Sequence, residues 1–326
     1  MRVHSGRVSL LTAAVILTVM TLAGVDVHAK QSTVITPVLA TAPTAGVDSS
    51  VAGPQSSNIG SSGAATLAPT PSIARVVSQL TTAVGALVTS SGASAGVTLI
   101  ELGGADPVTW SWNGGEIFTA ASTYKLPALM LEAENIATGK TDPNGEVCFE
   151  DADYESGWFD DYADGLCFTR TELAMRAGIY SDNTAGHMLV RDVGGAAALN
   201  AWAASIGATN SQFFDANTTT AADLAALWDA EARRELGGAA AQAWLYPMLT
   251  GTRTESGVPA GVSGVAVAHK TGTIDLVEND AALVRSGPSG PYVLVVMTDG
   301  TGGTAGWQLI AGISATVWQF GEARPQ

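Results

Sequence analysis

Apolar side chains recur at helical spacing from residue 73 onward: Ile73, Val76, Val77, Leu80, Val84 and Leu87 share one face and predict an amphipathic helix. The period then shortens. Val97-Thr98-Leu99-Ile100-Glu101-Leu102 has the length and apolar content of a strand, and Val108 to Trp112 reads as its hairpin partner. A helix starting at Ser122 runs to about Thr138 and stops at Gly139. Residues 144–168 keep no period and read as a loop-rich insertion. Thr169-Arg170-Thr171-Glu172 has the form of a capping box and opens a helix that ends near Tyr180. Further helical stretches cover about 184–193, 195–206, 219–236 and 238–249, the third with Thr220 and Asp223 at its start. The end of the chain changes character. Val265 to Ile274, Asp280 to Ser286 and Tyr292 to Asp299 predict three strands, with a turn at Gly287-Pro288-Ser289-Gly290-Pro291 before the last. A terminal helix carries Trp307, Leu309, Ile310, Ile313, Val317 and Phe320.

Two early strands, a helical middle and three late strands predict an α+β domain over residues 72–326. Its expected form is an antiparallel five-stranded sheet flanked by the terminal helices, plus an all-helical lobe. The cleft between sheet and lobe is the natural place for a ligand. Gly92-Ala93-Ser94-Ala95-Gly96 matches a Gly-x-Ser-x-Gly elbow, but that elbow follows a strand and precedes a helix, the reverse of this context. The stretch is read as a turn.

Ahead of the domain the pattern is different. Arg2 and Arg7 lead into the apolar run Val8 to Val25, and Val27-His28-Ala29 supplies a small-x-small step, so residues 1–29 read as a cleavable export signal. An uncleaved anchor helix is the rival reading, since the run is nearly long enough to span a bilayer. Residues 30–71 are Ser, Thr, Ala, Gly, Pro and Val with almost no charge or aromatics, the composition of a flexible linker. A secreted or surface-held protein without stable membrane insertion follows from cleavage. The whole chain of 326 residues carries a formal net charge of −15, which argues against nucleic acid and anionic membranes as partners. Its two cysteines, Cys148 and Cys167, bracket the insertion, and an even count in an exported chain points to one disulfide, with two buried thiols as the alternative.

The candidate chemistry lies in three short steps. Ser122-Thr123-Tyr124-Lys125 puts a hydroxyl and an amine on one helix face, a nucleophile beside its base. Ser181-Asp182-Asn183 and Lys270-Thr271-Gly272-Thr273 follow. Of the four lysines, Lys30, Lys125, Lys140 and Lys270, two fall in these steps.

In that order the three steps resemble the class A serine β-lactamases and the related penicillin-binding proteins, over about residues 73–326. The resemblance implies that Ser122 attacks the carbonyl of a β-lactam or a D-alanyl-type amide, with Lys125 helping to remove its proton. Burial or a nearby cation must lower the amine's pKa for that, and Lys270 is a candidate source of the field. Ser181 would pass a proton to the leaving nitrogen, and Asn183 would hold the substrate's side-chain amide. The backbone N–H groups of Ser122 and Thr273 would form the oxyanion hole. Lys270, Thr271 and Thr273 would bind the substrate carboxylate, and Asp182 would fix the loop. No cofactor is expected, and a monomer is.

One departure stands out. Active class A enzymes carry a Glu-x-x-x-Asn step after the Ser-Asp-Asn helix, whose glutamate activates the deacylating water. Here Gly207 to Asn217 runs almost directly into the next helix, and no glutamate occurs between Glu172 and Glu231. Asp215 is the only acid in the remnant, and reads either as a base or as a turn residue. Three readings stay open: a β-lactamase-like hydrolase with slow deacylation, a D-alanyl carboxypeptidase acting on peptidoglycan, and a secreted module that captures its ligand covalently without turnover. The acidic, aromatic insertion Glu150 to Gly165 lacks the glycine and terminal glutamate placement of a calcium loop. It reads as a lip of the cleft, with Trp158 or Tyr154 as a stacking face, or as a solvated loop. His187 and His269 read as packed or exposed histidines, and no clustered zinc ligand set occurs.

Overall fold

The computed structural model describes residues 72–324; the expected signal, cleavage site and linker lie outside the described residues. Helix α1 (Ile73–Ser91) starts at Ser72, whose side chain accepts from the Arg75 N–H, and stops at Gly92, where φ is 72°. Strands β1 (Ser94–Glu101), β2 (Thr109–Trp112) and β3 (Ile117–Thr119) follow. A 3₁₀ turn over Ala121–Tyr124 feeds straight into α2 (Lys125–Ala137). The middle of the chain holds β4 (Glu146–Cys148), β5 (Cys167–Thr169), α3 (Arg170–Ile179), α4 (Asn183–Asp192), α5 (Gly195–Ile206), β6 (Thr218–Thr220), α6 (Ala221–Ala232) and α7 (Gly238–Leu245). Strands β7 (Val267–Ile274), β8 (Val277–Val284) and β9 (Tyr292–Asp299) lead to α8 (Gly303–Ala323).

The early and late strands join in one antiparallel sheet of order β2-β1-β9-β8-β7. Alternation along the strands sends side chains to two separate cores. Ala282, Val284, Leu294 and Val296 pack with α1 and α8, through Val76, Leu80, Val84, Ile310 and Ile313. Ala281, Leu283, Val293, Val295 and Met297 pack on the other face against the helical lobe, which is why β8 is buried along its whole length. The edge strand β7 faces the start of α2, and that junction forms the floor of the cleft.

Several boundaries differ from the sequence expectation, each for a local reason. Strand β1 begins at Ser94 because Ser94 to Gly96 pair with Met297 to Asp299, so only Gly92 and Ala93 remain as a turn. Strand β8 begins at Val277 because Asp275 and Leu276 alone close the hairpin, with Asp275 at φ 51°. Thr218–Thr220 form a strand paired with β3, so the helix expected from 219 starts at Ala221, capped by the Thr220 side chain. The capping box at Thr169 is half made: Thr169 accepts from the Glu172 N–H, but the Glu172 carboxylate takes Arg176 instead, at 2.7 Å. Three-residue strands such as β3 and β6 are too short for a period to show.

The insertion is not structureless. Strands β4 and β5 pair at its base, and Cys148 and Cys167, opposite each other in the register, are disulfide-bonded. Arg191 bonds Asp153 and the Cys148 carbonyl, while Arg176 pairs with Asp161 and lies over the rings of Phe159 and Phe168. The bridge closes a loop of sequence separation 19, worth about 3 kcal/mol by chain entropy. Replacing both cysteines by serine should therefore lower unfolding stability by about that amount in a urea titration. An unchanged midpoint would show that the arginine contacts alone hold the loop.

Candidate active site

Ser122 sits in the 3₁₀ turn before α2, after Ala121 at φ 47°, a conformation that L-residues hold only when neighbours enforce it. The enforcement is visible. Asn217 donates from its side chain to the Ala121 carbonyl and accepts at its own carbonyl from the Ala120 N–H. The buried Asn279 amide donates to the carbonyls of Thr119 and Ala120.

One turn on, Lys125 is fully buried, and its Nζ lies 2.9 Å from Ser122 Oγ. The same nitrogen meets the Ser181 carbonyl at 2.9 Å and Asn183 Oδ1 at 2.8 Å, so all three partners are neutral. Burial lowers the ammonium pKa to about 7, against the opposing pull of Asp182 and Glu155. Lys270, on β7, is buried to the same degree and held well below its ordinary value, first by burial and then by the charge of Lys125. Its Nζ donates to Ser181 Oγ at 2.8 Å and to the Thr271 carbonyl at 2.9 Å. Ser181, at φ 58°, thus presents its carbonyl to one lysine and its hydroxyl to the other. An amine half neutral near pH 7, in contact with a serine hydroxyl, can take that hydroxyl's proton as oxygen attacks a carbonyl.

Gly272 explains the contact between β7 and the serine turn. A Cβ there would come within 2.7 Å of the Ala120 carbonyl and 3.1 Å of the Ser122 nitrogen. Only glycine lets the strand approach the N–H of Ser122 this closely.

The profile of the beta-lactamase enzyme family matches residues 79–320. The chain belongs to that family. It is similar to the solved structure of PBP-A, at 26% identity and a TM-score of 0.69, covering 78% of this chain and 98% of that one. An acyl-enzyme complex of a PBP-A mutant with penicillin G matches over the same shares, at 26% identity and a TM-score of 0.68. An ancestral class A β-lactamase matches at 25% identity and a TM-score of 0.66, covering 74% of this chain and 99% of its own. Like the family, the protein is a serine hydrolase of β-lactam type.

Two cavities open on Ser122 in this family member. The first, about 220 Å³, runs between Ser181, Tyr180, Thr271, Thr273, Arg253 and Trp158. Trp158 is exposed, and the Arg253 guanidinium lies 4.8 Å from its ring centre, so the insertion does supply a lip of the cleft. Thr273 reaches the same wall, but its hydroxyl donates to Glu278 at 2.6 Å. The second cavity, about 480 Å³, is lined by Tyr124, Glu155, Asn183, His187, Phe214 and Asp215 among others. Asn183 is fully engaged there: besides Lys125 it bonds Glu155 Oε1 and the Ser156 carbonyl, each at 3.0 Å.

Sequence reasoning set His187 aside as a packed or exposed histidine, whereas it lines the second cavity with Nε2 2.9 Å from Glu155 Oε2. It also missed Glu155 and Arg253, which reach the site only because the insertion and the loop before β7 fold back over it. Asp182 was legible as structural. Its carboxylate accepts from the N–H groups of Trp158, Phe159 and Ala185 and from the Tyr162 hydroxyl. His269 lies apart from Ser122, buried between Asp280 at 2.9 Å and Glu255 at 3.1 Å; despite its burial these carboxylates raise its pKa to about 9.

Two outcomes follow from the geometry. Lys125 must be neutral to act as a base, so covalent labelling by a penicillin should rise with pH through about 7 and fall about tenfold per unit well below it. A flat profile between pH 5 and 8 would remove Lys125 from the role. Gly272→Ala should cost at least about 10²-fold in labelling rate by prising β7 from the Ser122 turn, measured by time-resolved intact mass.

Proposed function

We propose that this protein is an exported serine acyl hydrolase that opens β-lactams or related amides through Ser122 and releases the acyl group slowly. The observation that carries the reading is the contact of Ser122 Oγ with a buried amine of pKa about 7, beside a loop that holds no glutamate. In the acylation step Ser122 Oγ bonds to the carbonyl carbon while its proton passes to Lys125. The carbon–nitrogen bond then breaks, and the leaving nitrogen takes a proton through the Ser181 hydroxyl that Lys270 holds. The N–H groups of Ser122 and Thr273 stabilise the oxyanion, a term worth about 10²–10³ in rate per donor.

The substrate carboxylate belongs in the first cavity, against Thr271 and Arg253, with the Lys270 amine behind Ser181 and Thr271, since the Thr273 hydroxyl is committed to Glu278. Asn183 takes a substrate amide by exchanging its contact with Glu155 or Ser156. Deacylation needs a water held and deprotonated on the acyl face, and general-base help is worth about 10²–10⁴-fold. In the shortened loop Asp215 is the sole acid, one methylene shorter than glutamate. A penicillin-binding role with little turnover is the second reading, favoured by the likeness to PBP-A and to its acyl-enzyme with penicillin G. Both readings place a signal and linker ahead of a monomeric domain.

Mixing with a penicillin should give a rapid burst of acyl-enzyme followed by slow turnover, and Ser122→Ala should abolish the adduct without lowering the melting temperature. Steady-state hydrolysis as fast as acylation would overturn the slow-deacylation reading. Asp215→Asn and Glu155→Gln then separate the bases: turnover lost in one of them assigns the step to that carboxylate, and turnover unchanged in both assigns it to Lys125.

A further inference from the structure

The charges that surround Ser122 are segregated. Arg253, the one charged side chain lining the first cavity, is a cation, whereas every charged side chain lining the second, His187 apart, is a carboxylate. Resting on the acyl-transfer reading above, we propose that the substrate is a zwitterion: its carboxylate enters the first cavity, and an ammonium group on its acyl side chain is held in the second, between Glu155 and Asp215.

The residues around the second cavity carry acceptors that the fold leaves unpaired. The Asp215 carboxylate makes no hydrogen bond among the described residues, and only its backbone N–H is engaged, with the Phe213 carbonyl. Asn217 Oδ1 is buried without a partner, its amide nitrogen being spent on the Ala121 carbonyl. Glu155 gives one oxygen to Asn183 and one to His187, yet a carboxylate has about four acceptor positions, so each oxygen keeps one. Independently of these acids, Tyr124 lines the cavity, and its hydroxyl, packed behind the wall beside Gly186, has no partner although the residue is only 6% exposed. A buried hydroxyl in that state is satisfied by a ligand group or a bound solvent molecule. Phe214 stands edge-on to both Tyr124 and His187, at 5.5 and 4.9 Å between ring centres, and gives the cavity an apolar wall along which an alkyl stem can lie.

An ammonium carries three donors and no acceptor, and so matches this set. A carboxylate or phosphate would face two like charges. A purely apolar side chain would cover Tyr124 and Asn217 without pairing them. The volume of about 480 Å³ accommodates a side chain of several carbons beyond the scissile amide. Glu155 is half exposed, so the discrimination is that of a partly solvated ion pair, roughly fivefold in acylation rate.

The test uses two penicillins that differ only in the side-chain terminus, aminohexanoyl and hexanoyl. Their second-order labelling constants for Ser122 are measured by intact mass at pH 7.5. The wild-type protein should prefer the aminohexanoyl compound by roughly fivefold, and Glu155→Gln and Asp215→Asn should each move the ratio toward one. Asp106→Asn, a carboxylate exposed far along the chain from the cavity residues, controls for net charge and should leave the ratio in place. If Glu155→Gln does not fold, Asp215→Asn decides alone, since its carboxylate supports no contact within the fold. A wild-type ratio near one, or a ratio that neither variant changes, overturns the zwitterion while leaving the acyl-enzyme intact. Failure of both compounds to label Ser122 overturns the acyl-transfer reading and this inference with it.

Discussion

Two lysines without water are the constraint around which this molecule is arranged. A primary amine removed from solvent cannot hold its charge cheaply, so Lys125 and Lys270 become basic groups with neutral partners. Their burial demands small neighbours. A Cβ on Gly186 of α4 would come within 2.6 Å of the Lys125 stem, and Gly272 brings β7 against the serine turn. The backbone also bends for them. Ala121 and Ser181 both adopt left-handed conformations that cost about 1–3 kcal/mol each, and the amides of Asn217 and Asn279 hold the first of them in place.

Asp182 extends that arrangement outward. By capping α4 and accepting from Trp158, Phe159 and Tyr162, it fastens the disulfide-closed insertion to the step that contacts Lys125. Gly157 permits the contact, because a Cβ there would collide with the Asp182 carboxylate. The insertion thereby delivers Trp158 to one side of Ser122 and Glu155 to the other. The side chains around Ser122 thus come from different parts of the chain: the lysines from a helix start and an edge strand, Trp158 and Glu155 from a loop pinned to them.

The separation of charge around the serine follows from the same division. The amines come from the rigid elements α2 and β7, where burial sets their protonation. The carboxylates of Glu155 and Asp215 come from two exposed loops that line the second cavity.

Local pattern was enough for the five sheet strands, most helices and the pairing of Ser122 with a buried lysine. Such features rest on periodicity, or on residues three apart on one helix turn, and both are properties of short segments. The disulfide was legible because just two cysteines exist. Neither the three-residue strands β3 to β6 nor the true start of β8 could be read, since pairing across the chain decides them. Glu155, His187 and Arg253 lay beyond the sequence for the same reason. Glu155 and His187 stand 32 positions apart, and Arg253 reaches Trp158 across 95. No rule of spacing relates such residues; only the packing of loops onto α4 and β7 brings them around Ser122.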